Sequence, residues 1–376
     1  MSPAASRFPA ARYGERLTHA AGLGAAAGLD ALLITPGPDL RYLLGSRAES
    51  FERLTCLVVP TDGSAATVVV PRLELAALRD SAVAELGVPV HDWVDGQNPY
   101  ALVADLVPGS GHIAVAEAMP ALHLVPLAAK FGAVPVLATE VIRQLRMIKD
   151  ADEIEALRRA GAAIDRVHAR MGEWLRPGRT EAQVAADITA AILAEGHTEA
   201  AFVIVGSGPH GADPHHEVSD RVIARGDIVV IDIGGPVEPG YNSDSTRTYS
   251  IGDPDPAVAA RIAVLEAAQQ AAVAAVAPGV RAEDVDAAAR DLLAAEGLAE
   301  AFVHRTGHGI GLSVHEEPYI VGGNTEPLRP GMAFSIEPGI YFRGEWGARI
   351  EDIVVVTADG CESVNRRPHE LTVLPG

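Results

Sequence analysis

The chain has 376 residues, 48% apolar and 21% charged, a globular composition that excludes a disordered or collagen-like polymer and is long enough for two domains. Its 50 acidic residues against 30 basic ones give a formal charge of −20, a field that repels phosphate backbones and argues against a nucleic-acid partner. The excess is uneven, with 12 basic and 15 acidic residues in 1–150 and 18 and 35 in the remainder. Arg7, Arg12, Glu15 and Arg16 interrupt the N-terminal Ala-rich stretch, which does not read as a signal peptide. No charge-free apolar run reaches the roughly 18 residues of a transmembrane helix, so no membrane partner is expected. Cys56 and Cys361 are too far apart in sequence for a disulfide framework or a zinc motif, and a cytoplasmic protein is expected.

Along the chain, Ala31–Thr35 reads as a strand stopped by Pro36-Gly37-Pro38. Leu54–Val59 and Ala66–Val70 flank Asp62-Gly63 as a hairpin. Leu73–Leu86 and Pro120–Phe131 have helical spacing, with a strand at His112–Val115 between them. This first region, 1–145, is an α/β domain. Lys149–Glu153 then opens a long helix with Ile154, Leu157, Ile164 and Val167 on one face and the small Gly161 between them. A second helix starts at Thr180, where Gln183 completes a capping box. Ala-rich helices at about 256–277 and 282–296 follow. Strands are expected at Phe202–Val205, Ile228–Ile233, Thr246–Ile251, Met332–Ile340 and Ile350–Val356. The second region, 146–376, is therefore α+β with hairpins.

Two of these hairpins present paired carboxylates. Centred on Glu238, the first would set Asp232 opposite Asp244, with Cβ atoms about 4.5–5.5 Å apart on one face. Centred on Gly344, the second would set Glu337 opposite Glu351. At an effective dielectric near 20, two like charges about 4 Å apart cost roughly 4 kcal/mol, and a cation between them reverses the sign. One such pair is compatible with a solvated face, but two in one domain point to cations. Between the hairpins lies HRTGHGIGLSVHEEP, in which Gly307 and Gly309 flank His308 and allow a second group to approach the imidazole. Four carboxylates and one imidazole form an oxygen-rich set suited to two divalent ions, Mn(II), Co(II), Fe(II) or Zn(II), and metal-assisted hydrolysis is the chemistry they support.

DIGG…GYNSDSTRTYSIG, HRTGHGIGLSVHEEP and FSIEPGIY…GARIEDIVVV, with the weaker block GSGPHGADPHHEVSDRVIARGD at 206–227, resemble the pita-bread dinuclear metallopeptidases. Within them the likeness is to Xaa-Pro dipeptidases (prolidases) and Xaa-Pro aminopeptidases. LDALLITPGPDLRYLLG looks like the N-terminal domain that precedes the catalytic domain in that group, so the likeness covers nearly the whole chain. It implies a C-terminal pita-bread catalytic domain behind a smaller α/β domain. It also implies two divalent ions per chain, manganese first with cobalt, iron or zinc as alternatives, and a homodimer acting on short proline-containing peptides.

Carried over residue by residue, the resemblance makes Asp232 the chelator of one metal, Asp244 and Glu351 shared ligands, and His308 with Glu337 the ligands of the other. Glu337 is also the general base. His215, placed by its distance to Gly226-Asp227, and His315 orient substrate, while His304 and Arg349 support the ligands. The interval from Asp232 to Asp244 is 12 where members often have 11, and Arg305 stands where several relatives have Gly. Phe202 and Val314 are candidates for an apolar proline pocket, with plain core as the other reading. His210 and His216 are read as loop residues without a role, and Glu316 and Glu317 are left outside the site. Alternatives are a non-catalytic binding module of the same fold, creatinase-like chemistry without metals, and a metallopeptidase of different N-terminal specificity such as a methionine aminopeptidase. The filled ligand positions argue against the first two, and the size of the N-terminal domain against the methionine enzyme.

Overall fold

Short runs rich in Val, Ile and Leu, cut by Gly and Pro, build a mixed sheet in the first part of the chain. The computed structural model describes residues 7–376 and separates two units at the Arg146–Met147 junction. The N-terminal unit contains α1 (Ala10–Ala26), β1 (Ala31–Ile34), α2 (Pro38–Leu44), β2 (Cys56–Pro60), β3 (Thr67–Pro71), α3 (Val83–Leu86), β4 (Val90–Trp93), α4 (Pro99–Asp105), β5 (Ile113–Val115), α5 (Ala121–Phe131), β6 (Val136–Leu137) and α6 (Thr139–Arg146). Its six strands run in the order β4-β3-β2-β1-β5-β6. β1 is buried along its length, which is why it is continuously apolar. β2 and β3 pair antiparallel around Asp62-Gly63.

Leu73–Leu86 does not form the single helix its spacing suggests. Arg72–Leu78 is a 3-10 turn that leaves Leu73 exposed, and α3 starts only at Val83. Between them the Ser81 hydroxyl donates to the Leu78 carbonyl and accepts from the Val83 N–H, a local bond that competes with helix continuation.

In the C-terminal unit, α7 (Ala151–Ala169) starts on a capping box made by Asp150 and Glu153, and α8 (Glu181–Ala194) on the box made by Thr180 and Gln183. Then come β7 (Phe202–Ser207), β8 (Ile228–Val237), β9 (Tyr241–Ile251), α9 (Pro256–Ala275), α10 (Ala282–Ala295), β10 (Gly307–Gly309), β11 (Glu316–Ile320), β12 (Ala333–Ile336), β13 (Gly339–Phe342), β14 (Trp346–Arg349), β15 (Asp352–Val356), β16 (Cys361–Ser363) and β17 (Thr372–Leu374). They form sheets ordered β17-β9-β8-β7 and β11-β10-β12-β15-β16, and the ribbon β13-β14. By length and hydropathy α9 would reach across a bilayer, yet it carries Arg261 and Glu266, and its Ile262, Leu265, Ala268 and Ala272 are buried in the core.

The two-residue period of the strands decides where the chemistry goes. On β8, Val229, Ile231 and Ile233 join Ile164, Val167 and Ile188 of α7 and α8 in one core, so Asp232 faces away from the helices. On β12, Phe334 and Ile336 pack with Leu265 and Leu293 of α9 and α10, so Ser335 faces the other way.

Along α7, Leu157, Ile164 and Val167 are buried and Ile154 is half-buried. Gly161 is required by a close approach, because a Cβ there would lie 2.8 Å from the carbonyl oxygen of Val364. Gly161→Val is therefore expected to lose about 1–3 kcal/mol through overpacking. Urea denaturation checks this, and an unchanged midpoint would contradict the packing described.

Candidate metal centre

The first hairpin closes one residue later than the sequence reading placed it. Val237 pairs with Tyr241, and Glu238-Pro239-Gly240 make the turn, with Gly240 at φ +112°. Asp232 consequently lies opposite Thr246, and Asp244 opposite Gly234. The two aspartates are diagonal neighbours on one face, not a directly opposed pair. The second hairpin has the expected register, with Ala333 opposite Val355 and Gly339 opposite Arg349. Its strands, however, are not continuous over 332–340 and 350–356. β12 stops at Ile336 and β15 starts at Asp352, because the N–H groups of Glu337 and Glu351 leave the ladder to donate to the carbonyls of Thr306 and Thr246. Each glutamate is thus anchored to a neighbouring segment.

β10 carries His308 into the same space. A Cβ at Gly307 would overlap the Ser335 carbonyl and one at Gly309 the Glu317 carbonyl, so both glycines are needed for this strand to fit. His308 Nε2 lies 3.6 Å from Asp244 Oδ2 and 3.2 Å from Glu337 Oε1. Its Nδ1 lies 3.1 Å from the Gly309 carbonyl, and donation there leaves the Nε2 lone pair pointing at the carboxylates. Burial, then the nearby His315, brings the His308 imidazole down to about 3, so it is neutral at physiological pH.

The carboxylates are short of positive partners. Burial first, then repulsion from Asp232 and Glu337, raises Asp244 well above the ordinary range. Burial, then Asp244 and Glu337, does the same to Glu351. Burial outweighs the attraction of Arg349 and lifts Glu337 to about 7. The guanidinium of Arg349 lies 2.6 Å from Asp232 Oδ2. Two further oxygens, Asp232 Oδ1 and Glu351 Oε1, are buried with no hydrogen-bond partner among the described residues. Orphaned carboxylate oxygens are costly unless something cationic meets them. Ligand atoms of Asp244, His308 and Glu351 all lie within 4.8 Å of one another, a spacing that fits a metal ion.

Several supporting residues escaped the sequence reading. Thr246 donates its hydroxyl to Glu351 Oε2 at 2.7 Å. Ser335 donates to Glu337 Oε1 at 3.0 Å and accepts from the His308 N–H. Thr246 stands two residues from Asp244 and Ser335 two residues from Glu337, and that spacing was a readable signal. Tyr341 had none: its hydroxyl joins His304 Nε2 at 2.9 Å to Arg349 at 2.7 Å, linking two residues assigned only a supporting part. Behind the site, buried Arg247 pairs with Asp352 at 2.7 Å and donates to the Glu351 carbonyl.

A cavity of about 730 Å³ opens above these groups, and every candidate residue named from the sequence lines it. His215 and His315 are exposed to it, and the His315 ring meets that of His308 edge-on with centroids 4.0 Å apart. Phe202 and Val314 form apolar wall, and Arg305, stacked on Tyr319, is also part of the lining. Glu316 turns away to a buried ion pair with Lys149 at 2.6 Å. His210 and His216 do not line the cavity, but neither is an idle loop residue: both bond to the buried carboxylate of Glu181.

Comparison with known proteins agrees with this architecture. Residues 155–358 match the model of metallopeptidase family M24, and residues 16–148 that of the creatinase/prolidase N-terminal domain. The chain is 67% identical over 370 residues, 98% of each chain, to a Mycobacterium tuberculosis protein named probable dipeptidase PepE. It is 34% identical over 345 residues to an Xaa-Pro dipeptidase of Lactobacillus helveticus, covering 89% of this chain and 92% of that one. Among solved structures, dipeptidase PepE from Mycobacterium ulcerans superposes with a TM-score of 0.95 at 67% identity, covering 98% of this chain and 100% of that one.

The raised carboxylates give the metal-free protein a defined response to pH. Glu337 ordinarily titrates near 4.5 and here near 7, so between those values the folded chain holds more protons than the unfolded one. Stability from this site is therefore fully present below about 4.5 and falls as pH rises through 7. Cations that bind the deprotonated groups act oppositely. Adding Mn(II) to chelator-stripped protein should raise Tm more at pH 8 than at pH 5. Equal increments in differential scanning calorimetry would contradict the assignment.

Proposed function

The chain belongs to metallopeptidase family M24, and from that premise we propose that it is an Xaa-Pro dipeptidase working with two divalent ions, manganese in the first instance. The observation that carries the proposal is the buried, under-compensated carboxylate cluster at the base of a cavity large enough for a short peptide. Asp232 would hold one ion, His308 and Glu337 the other, and Asp244 and Glu351 both. When bound, the ions supply a lowered water pKa and a polarised scissile carbonyl.

The remaining steps belong to side chains of the protein. Glu337, whose Oε1 lies 3.2 Å from His308 Nε2 and which lines the cavity, would take a proton from the attacking water and return it to the leaving nitrogen. His315, whose ring meets that of His308 edge-on at the cavity wall, would offer an N–H to the developing oxyanion. His215, on the segment after Pro214, shares the orientation of the substrate with it. Tyr341 holds His304 and Arg349 together, and Arg349 fixes Asp232.

Proline after the scissile bond is supported by two features. Phe202 and Val314 supply apolar lining against which a pyrrolidine ring would pack, and the L. helveticus relative is named for Xaa-Pro cleavage. A limit of two residues is supported by the dipeptidase names of the mycobacterial relatives.

A panel of Ala-Pro, Ala-Pro-Ala and Ala-Ala with Mn(II) tests the specificity. Ala-Pro should be cleaved with the highest kcat/KM, and preference for Ala-Ala or for the tripeptide would refute it. Glu337→Gln should lower kcat by about 10²–10⁴-fold, the usual range for a proton-transfer group. Full activity in that variant would remove Glu337 from the role.

A further inference from the structure

Outside the cavity, three side chains converge in a way the peptidase reading does not use. Glu181, the first residue of α8, has a side chain with no exposed surface. Its Oε1 accepts from the Ser207 N–H at 2.9 Å and the Ser207 hydroxyl at 2.6 Å. Its Oε2 receives the Ser219 hydroxyl at 2.7 Å, His216 Nε2 at 2.8 Å and His210 Nδ1 at 3.1 Å. The two imidazole rings lie 4.4 Å apart, and the three ligand atoms fall within 4.8 Å of one another. We propose that Glu181, His210 and His216 form a separate, mononuclear site for a borderline divalent cation of the Zn(II) or Co(II) class, which ties the segment carrying His215 to the start of α8.

Two imidazoles and one carboxylate are a ligand set that zinc accepts with its fourth position open. In a tetrahedron with bonds of about 2.0–2.1 Å the vertices are about 3.3 Å apart, and Glu181 Oε2 lies 2.8 Å from His216 Nε2 and 3.1 Å from His210 Nδ1, so these two spacings need to open by only a few tenths of an ångström. Nitrogen donors favour Zn(II) or Co(II) over Mg(II) or Ca(II). Burial would raise the Glu181 carboxyl, but donors from Ser207, Ser219 and His216 outweigh it and bring it down to about 2, so the ligand oxygen is ionised. The guanidinium of Arg221 pairs with Asp227 at 2.6 and 2.9 Å and donates to the Ser207 hydroxyl at 2.6 Å, so it reaches Glu181 through Ser207 and does not bond its carboxylate. His210 keeps 36% of its side chain exposed, which gives a cation and a completing water a way in. The chain between the two histidines contains Pro214 and His215, both on the cavity wall, so a cation held by both histidines restrains His215 from either side.

The test is metal content after equilibrium dialysis of the full chain against Zn(II), comparing wild type with His210→Ala/His216→Ala. The wild type should retain one more ion per chain than the double variant. Equal content in the two proteins overturns the proposal. The difference is independent of the dinuclear reading: one ion against none would leave this site standing and remove the other. His210→Ala alone, altering a partly exposed residue, should weaken the extra site at least 10-fold while the circular dichroism spectrum stays native. A native spectrum with undiminished affinity also overturns the proposal. Hydrogen exchange should show residues 208–219 slowed by Zn(II) in wild type and not in the double variant, and slowing in both would again count against it.

Discussion

Asp232, Asp244, Glu337 and Glu351 meet in one buried space with the guanidinium of Arg349 against Asp232, and the C-terminal unit is arranged to make that meeting tolerable. At an effective dielectric near 20, each pair of charges at about 4 Å opposes the fold by roughly 4 kcal/mol. Without cations the protein relieves this by holding protons, as the raised carboxyls of Asp244, Glu337 and Glu351 show. With cations the same oxygens would become ligands, and the neutral His308 would add a nitrogen that needs no counter-charge. The stability that offsets the crowding comes from elsewhere, from the helix-facing sides of the same strands. Those sides bury Ile231 and Ile233 against α7 and α8, and Phe334 and Ile336 against α9 and α10.

Hydrogen bonds between the hairpins then convert crowding into a fixed geometry. Thr246 reaches Glu351 through its hydroxyl and accepts the Glu351 N–H on its carbonyl, so one residue of β9 sets one ligand of the other hairpin twice. Arg247, the next residue, places its guanidinium behind the same glutamate and on Asp352. Ser335 spans His308 and Glu337 in the same manner. A ligand held from its backbone and from its side chain has little freedom to rotate away, and such outer partners usually govern metal affinity as strongly as the ligands do.

Much of this was readable from spacing. The capping box at Thr180, the Asp62-Gly63 hairpin and the buried face of α7 follow from local sequence, because each is decided within a few residues. Positions 333–355 gave the right register because their pattern is symmetric about Gly344. The first hairpin did not, since the centre of Pro236–Gly240 is ambiguous by one residue and only the closed turn resolves it. The breaks at Glu337 and Glu351 depend on carbonyls from Thr306 and Thr246, which no local pattern reveals. The partnership of His210 and His216 with Glu181, about thirty residues away in sequence, is likewise a product of tertiary structure.

Cations in the space between the two hairpins are what would make this cluster a catalytic centre. Crystals grown with Mn(II), measured at a wavelength giving manganese anomalous signal, address this directly. Two anomalous peaks are predicted among Asp232, Asp244, His308, Glu337 and Glu351, with Asp244 and Glu351 touching both. A fully metal-equilibrated crystal with no peak there, and with the carboxylates still crowded together, would contradict the account.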